Sequence, residues 1–424
     1  MAYSNPIIEI GFLLTVAVMW LMIFYQLFFS FLGFVHRVRA LRERDRLNSA
    51  EPPELPSVSI LIPAHNEELV IEATIQSLLA LDYPCDKIEF IVVNDGSTDK
   101  TADLVERAAK ADPRVRLFNV PPEEAARGKA HALNLGARCV TGELIAIYDA
   151  DNRPEPDSLR QLVLNLLDDG RLAAAFGKFR TLNRHRNLLT RFINLETMAF
   201  QFIVQAGRHL LFRLAILPGT NLVIRRTAWL EAGGWDEQAL TEDTELSIRL
   251  YAMGHEIKFV PYAVTWEEEP ETWGTWLRQR TRWVRGNFYV LRKHLLPAFR
   301  FGKISLIVEL LQLFVLYYVF LGAILLSHVY FIGSVMGWIA VQSPGPYFAV
   351  WVCACLLFVA EIMLAAAYEG EESPANIAVA FLMYFTYCQA WVVLVFRALY
   401  QQRTQKGLTW EKTRRFASAE VPKQ

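Results

Sequence analysis

The sequence is poor in cysteine: Cys85, Cys139, Cys353, Cys355 and Cys388 are the whole set, and none forms a Cys-x-x-Cys pair. That spacing argues against a disulfide framework or a zinc site, and the five read as free thiols. Net charge is nearly absent as well, at −1 over 424 residues, which speaks against nucleic-acid binding through a basic surface. No basic residue precedes the first apolar run and no small-residue cleavage site ends it, so the run reads as an anchor and not as a cleaved leader. Internal repeats and low-complexity tracts are also missing.

What the chain has in excess is apolar residues, 53 % of the total, against about 45–50 % in a soluble protein. The excess sits at the two ends. Gly11 to Phe34 contains no charged residue, and about 20 apolar residues span a bilayer. His36-Arg37-Val38-Arg39, with Arg42, Arg44 and Arg46, follows directly. Positive charge stays in the cytoplasm, so the N-terminus is expected outside and the chain after Arg37 inside the cell membrane. Residues 47–56 hold three prolines and few apolar side chains, as a linker does. At the other end Ile304–Val341, Tyr347–Tyr368 and Ala375–Phe396 are apolar, with Glu309 and Glu361 interrupting the first two. The first is long for one helix and has room for two short spans, or for one span and an interfacial segment. Three spans would leave the tail outside, yet Arg397, Arg403, Lys406, Lys412, Arg414 and Arg415 favour the inside; the reading leans to an inside tail. The chain therefore divides into a membrane helix (1–34), a basic and proline-bearing linker (35–56), an α/β domain (57–268), amphipathic interface helices (269–303), a membrane region of three or four spans (304–399) and a basic tail (400–424).

The middle alternates strand and helix. Val58–Ile62, Ile88–Val93, Val115–Val120 and Leu144–Tyr148 read as strands. Glu67–Leu81, a stretch capped by Ser97-Thr98-Asp99 and running to about Lys110, and Gly128–Cys139 read as helices. Such alternation implies a mainly parallel sheet, which binds ligands at the carboxyl ends of its strands. The polar clusters at 63–67, 94–99 and 149–151 fall there.

Asp149-Ala150-Asp151 closes an apolar strand. Alternate side chains of extended backbone share a side, so the two carboxylates can hold a hard divalent cation while substrate phosphates complete its shell. The same acids can also be a solvated strand-end turn. Asp95 in Asn94-Asp95-Gly96-Ser97-Thr98-Asp99 can hydrogen-bond a base or ribose, or merely shape a turn. Thr241-Glu242-Asp243 precedes a helical stretch; its acids either complement the helix dipole or supply a general base for an acceptor hydroxyl. Gln279-Arg280-Thr281-Arg282-Trp283 lies in an amphipathic stretch from Thr272 to about Phe301 that reads mostly as an interfacial helix on membrane lipids. There Arg282 suits a diphosphate and Trp283 suits stacking on a sugar. A similar stretch, about Leu188 to Ile216, suggests that the domain rests on the membrane.

These pieces in this order resemble the family 2 glycosyltransferases, in their membrane-bound processive branch of cellulose, hyaluronan and poly-N-acetylglucosamine synthases. The matching elements are Ile62-Pro63-Ala64-His65-Asn66-Glu67, Asn94 to Asp99, Gly128-Lys129-Ala130 with Ala132-Leu133-Asn134, Asp149-x-Asp151, Thr241-Glu242-Asp243 and Gln279-x-x-Arg282-Trp283. Trp410-x-Lys412-Thr413 also resembles the ends of some relatives. The resemblance covers about residues 57–300. It implies a GT-A fold fused to membrane and interfacial helices, a hexosyltransferase activity, and a UDP-sugar donor. Pro63, His65, Glu67, Asp95 and Lys129 would line the donor pocket, with Glu67 and Asp95 on the uridine. Asp149 and Asp151 would hold the diphosphate through Mg²⁺ or Mn²⁺. Asp243 would be the base beside Glu242, and Gln279, Arg282 and Trp283 the acceptor-side motif. His65 departs from the aromatic residue of many relatives, which puts base contacts there in doubt. The short tail has no room for a cyclic-di-GMP domain, so regulation of that kind would need a partner such as a small accessory membrane subunit.

The expected reaction is an inverting single displacement onto a growing β-linked polysaccharide, extruded through the C-terminal spans, with Glu309 and Glu361 either on a polar channel wall or in contacts between helices. The weak lean is to poly-N-acetylglucosamine, through Glu269-Pro270-Glu271-Thr272. A non-processive enzyme loading one sugar onto a lipid carrier shares the first motifs. An inactive nucleotide-binding scaffold and a transporter fit less well, given the acids at 149, 151 and 243 and the size of the α/β domain.

Overall fold

The computed structural model describes residues 6–51, 53–301, 304–342 and 344–404. The chain opens with one long helix, α1 (Pro6–Ser49). The basic segment expected to begin a linker is thus helical, and only the residues after Ser49 connect to the domain. Its arginines are good helix formers, and nothing stops a helix before the prolines at 53 and 56. The domain follows as β1 (Val58–Ala64), α2 (Ile71–Leu79), β2 (Ile88–Asn94), α3 (Thr101–Ala111), β3 (Val115–Asn119), α4 (Lys129–Gly136) and β4 (Leu144–Ile147). These match the expected strands closely. The first helix begins later than expected, at Ile71, after a left-handed Asn66 (φ +56°) and a turn in which the Val70 and Ile71 amides both donate to Glu67 O.

Beyond β4 come β5 (Arg153–Pro154), α5 (Ser158–Asp168), β6 (Leu172–Thr181), α6 (Leu188–Ala199), a π turn (Phe200–Gln205), α7 (Ala206–Phe212), β7 (Leu222–Arg225), α8 (Arg226–Glu231), α9 (Glu242–Met253) and β8 (Glu256–Glu267). The strands make one sheet in the order β3-β2-β1-β4-β7-β6-β8-β5. β1, β2, β3 and β4 run parallel. β7 is antiparallel to β4 and β6, and β8 returns parallel to β6. The order reverses at β1, whose neighbours are β2 and β4, and the crevice at such a reversal is where open α/β sheets bind ligands. Ile60, Ile62, Val92 and Ala146 fill one face of the sheet, and Leu61, Ile91, Val93 and Ile147 the other, all essentially inaccessible.

The amphipathic stretches are helices. α10 (Trp273–Phe301) is buried more deeply than an interfacial helix would be, with Trp276, Arg280, Val284 and Arg285 all inside. Its buried arginines therefore do not face lipid head groups, which corrects the interfacial reading for that face. After it come α11 (Ile304–Phe314), a π turn (Val315–Phe320), α12 (Leu321–Val335), α13 (Tyr347–Ala367), α14 (Pro374–Phe385) and α15 (Tyr387–Thr404). The first apolar C-terminal run is therefore one long helix and not two short spans. By length and composition four helical stretches among the described residues can cross a membrane: Pro6–Ser49, Leu306–Val335, Tyr347–Ala367 and Pro374–Thr404. Lys406, Trp410, Lys412, Thr413, Arg414 and Arg415 lie outside the described residues, and with them most of the expected basic tail.

Contacts order these helices relative to the sheet. The start of α1 lies far from it, where Tyr330 Oη donates to Ile8 O (3.1 Å) and Phe12 meets Tyr347 edge-on (4.8 Å between centroids). Its other end meets the sheet, with Lys258 Nζ on Glu43 (2.7 Å) and Arg46 on Asp168 (2.6 Å). α13 runs back toward the sheet, and Glu369 after it pairs with Lys178 (2.7 Å) and Arg180 of β6.

Candidate active site

One side of the crevice is knitted from the ends of β1 and β2. His65 Nδ1 is 2.6 Å from Asp95 O, and His65 Nε2 is 3.2 Å from Asn66 Nδ2. The Asn66 amide donates to Ser97 Oγ (2.9 Å), and the Glu67 amide to Thr101 Oγ1 (2.7 Å). Asp95 is buried and accepts from the Ala126 amide (2.7 Å). Pro63 pairs in register with Val93 inside the sheet. The Asn-Asp-Gly-Ser-Thr-Asp run thus builds a hydrogen-bonded loop pair with Asp95 at its floor, which is its turn-forming reading.

Lys129 is the centre of the site. It is the first residue of α4, after Gly128, whose φ of +114° excludes most side chains. Lys129 Nζ lies 2.6 Å from Asp149 Oδ1 and 3.9 Å from Glu242 Oε1, and donates to Gly219 O (3.0 Å). Burial works against its charge, but Asp149 and Glu242 outweigh it and hold the ammonium above its ordinary range. Asp149 follows β4, and its amide donates to Asn152 Oδ1 (3.1 Å) and Thr220 Oγ1 (3.0 Å), which also bond each other. Asp151 is buried in the same turn, which the Asn152 amide closes onto Asp149 O (3.0 Å).

Glu242 and Asp243 open α9. Asp243 Oδ1 accepts from the Thr244 amide (2.7 Å). Its carboxyl is pushed up to about 7, first by burial and next by Glu242, against the pull of Lys129 and Arg282. Gly219, at φ +82°, makes room for it: a Cβ there would lie 2.7 Å from Asp243 Oδ2. Asp149, Glu242 and Asp243, distant in sequence, therefore share one ammonium, with Arg282 of α10 adding its field. The acceptor-side motif is only partly surface. Gln279 Oε1 accepts from Arg280 Nη1 (3.1 Å), Arg280 is 1 % exposed, and Trp283 is 37 % exposed.

Asn152, Gly219 and Thr220 were not foreseen. The Pro218-Gly219-Thr220 turn was the one available signal, and only the packing ties it to this site. Glu309, expected on a channel wall or between helices, pairs with Arg208 of α7, which also donates to Gln312 (3.0 Å). It joins helices. Glu361 lines a crevice of about 280 Å³ between α1 and α13, among Leu27, Phe31 and Leu364. All five cysteines are free thiols. Among the described residues no group of three or more His, Cys, Asp or Glu could hold a metal.

Four likenesses bear on this arrangement. Residues 55–286 match the family model described as "Glycosyltransferase like family 2". The chain is 41 % identical over 410 residues to a probable glycosyltransferase, YdaM, of Bacillus subtilis, covering 96 % of this chain and 97 % of that one. It is 29 % identical over 269 residues to a poly-β-1,6-N-acetyl-D-glucosamine synthase of Staphylococcus epidermidis, covering 63 % and 64 %. A mannosyltransferase of Pyrobaculum calidifontis, solved with GDP-mannose and Mn²⁺, has the same GT-A fold, with a TM-score of 0.55 at 22 % identity over 85 % of this chain and 99 % of that one.

Proposed function

The chain belongs to glycosyltransferase family 2, and from that premise we propose that it extends a β-linked polysaccharide, of the poly-N-acetylglucosamine type, from a UDP-sugar at the inner face of the cell membrane. The observation that carries this reading is the cluster of Asp149, Glu242 and Asp243 around Lys129, with the charge of Arg282 of α10 acting on Asp243. Four helical stretches among the described residues, apolar and long enough to cross a membrane, support the membrane setting.

Glu67 and Asp95 bind the uridine, and Pro63 and His65 line the pocket beside it. Two carboxylates cannot hold a divalent cation alone, but Asp149 and Asp151 at a strand end, next to a diphosphate, fit one whose shell the phosphates complete. Bound there, Mg²⁺ or Mn²⁺ supplies positive charge to the departing diphosphate. Lys129 and Arg282 add fixed charge on the same side. Asp243 takes the proton of the acceptor hydroxyl as its oxygen attacks the anomeric carbon. The bond from that carbon to the diphosphate oxygen breaks on the opposite face, UDP leaves with the electron pair, and the configuration inverts. Burial, and after it Glu242, keeps Asp243 basic enough near neutrality to accept that proton.

The test is purified protein in vesicles with UDP-glucose, UDP-N-acetylglucosamine and UDP-glucuronate, followed by product mass. A ladder of N-acetylglucosamine polymer is expected, and Asp243→Asn abolishes it. A single glycolipid product assigns lipid-carrier loading instead. Polymer output from Asp243→Asn equal to wild type removes Asp243 as the base.

A further inference from the structure

The motif residue that reaches no solvent is Arg280. Its guanidinium lies over the ring of Trp283, with Cζ 3.9 Å from the ring centroid, while its own surface is 1 % exposed. It is therefore placed to orient Trp283 and not to touch a substrate. Glu196 of α6 holds it from the other side, with Arg280 Nη2 donating to Glu196 Oε2 at 2.9 Å. The same carboxylate accepts from Tyr387 Oη (2.7 Å) and from Trp391 Nε1 (2.9 Å), both on α15. Trp276 Nε1 donates in turn to Tyr387 Oη (2.8 Å). One carboxylate thus gathers three donors from α10 and α15 beneath the exposed indole.

A buried ion pair is poor value for stability alone, since well-packed apolar side chains do as well. What a carboxylate with three directed donors does provide is a fixed geometry. One face of Trp283 is covered by Arg280, and the indole remains partly open to solvent. An exposed aromatic ring held flat by a buried cation is a stacking platform for a sugar. We propose that Glu196 is a positioning residue for the acceptor: through Arg280 it sets the plane of Trp283, and through Tyr387 and Trp391 it ties that plane to α15. The proposal rests on the reading of Gln279-x-x-Arg282-Trp283 as the acceptor side. It separates acceptor handling from donor chemistry: Glu196 is bonded to Arg280, Tyr387 and Trp391, whereas Lys129 is bonded to Asp149 and Gly219.

The experiment uses the full chain in vesicles with UDP-N-acetylglucosamine and a short β-1,6-linked N-acetylglucosamine oligomer. Donor hydrolysis, donor KM, acceptor KM and product length are measured for wild type, Glu196→Gln and Tyr387→Phe. Glu196→Gln is expected to raise acceptor KM about tenfold, the size expected for a weakened charged hydrogen bond, and to shorten the product, with donor hydrolysis and donor KM unchanged. Tyr387→Phe keeps the ring and removes both hydrogen bonds of its hydroxyl, the one to Glu196 and the one from Trp276, and shifts both readouts the same way by less; it carries the test if Glu196→Gln does not accumulate. Equal loss of hydrolysis and transfer, or unchanged acceptor KM and length in both variants, overturns the positioning role. Wild type that hydrolyses donor but extends no oligomer overturns the acceptor reading itself.

Discussion

The ammonium of Lys129 stands 2.6 Å from Asp149 Oδ1, on a carboxylate that the proposed mechanism also gives to a divalent cation. Cation and lysine therefore compete for Asp149, and donor binding has to rearrange the pair. The same ammonium lowers the proton affinity of Asp243. Lys129→Met should weaken donor binding by about tenfold or more, the loss of one charge-assisted contact. It should also move the acid limb of the pH–rate profile upward, because Asp243 loses a neighbouring positive charge. A profile that keeps its midpoint would show that Lys129 and Asp243 do not interact.

Asp243 sets a pH dependence of its own. Its carboxyl sits at about 7, raised first by burial and then by Glu242. As a base it works deprotonated, so the wild-type rate should rise through about pH 7 and level above it. Asp243→Asn should cost about 10²–10⁴-fold in rate. Stability runs the other way. Between 3.8, its ordinary value, and about 7, the folded state keeps a proton that the unfolded state has lost. The stability this group contributes at low pH is therefore lost as pH rises through that window. Asp243→Asn stays neutral, so its melting temperature should exceed that of wild type at pH 8 and match it near pH 4. A lower melting temperature at pH 8 contradicts the buried, raised carboxyl.

Gly219 and Gly233 separate strain from function. Both have positive φ, +82° and +78°, but a Cβ at Gly219 would lie 2.7 Å from Asp243 Oδ2, whereas none of the surroundings comes within 4 Å at Gly233. Alanine at either site should cost about 1–2 kcal/mol for the left-handed backbone. Only Gly219→Ala should also lower the rate, because it pushes the base aside. Matched thermal melts and rates for the two variants decide this; equal rates would mean that Asp243 moves without consequence.

The half of the candidate site at the strand ends was legible because local rules place it. Asp95 and Asp149 close apolar strands, Lys129 starts a helix after a glycine, and each lands at the sheet's carboxyl edge. The rest depends on long-range packing. β6 reads Leu-Ala-Ala-Ala-Phe, a run as suited to helix as to strand, and becomes a strand because β7 and β8 flank it. Arg280 looked like part of a lipid-facing stripe, and only the arrival of Glu196 and α15 shows it buried. Glu309 needed Arg208, 101 residues away, to be read as a lock.

That lock can be told from a channel wall. Arg208 and Glu309 are both almost fully buried, and Arg208 also donates to Gln312 (3.0 Å). Removing one partner leaves an uncompensated buried charge, at about 3–5 kcal/mol. Arg208→Met and Glu309→Met should each lower thermal stability sharply, while the double variant recovers most of it and retains polymer synthesis. A stable double variant that hydrolyses donor but releases only short product would instead put Glu309 on the product's path.

Sidedness has a native reporter. Cys85 is exposed at the foot of β2 in the α/β domain, whereas Cys139 and Cys388 are partly covered and Cys355 is buried. Cys353 is exposed, but it lies near the start of α13, a helix apolar and long enough to cross a membrane, so lipid rather than water would meet it. Arg37, Arg39, Arg42, Arg44 and Arg46 follow the first apolar run, and excess positive charge is retained in the cytoplasm. The end of α1 that carries Glu43 and Arg46 is also the end salt-bridged to the domain, through Lys258 and Asp168. One placement of the arginines therefore fixes the side of Cys85. A membrane-impermeant maleimide should leave Cys85 unlabelled in intact cells and label it once the membrane is opened, with Cys85→Ser as the blank. Labelling of Cys85 in intact cells would put the catalytic domain outside, where no cytoplasmic UDP-sugar could reach Lys129.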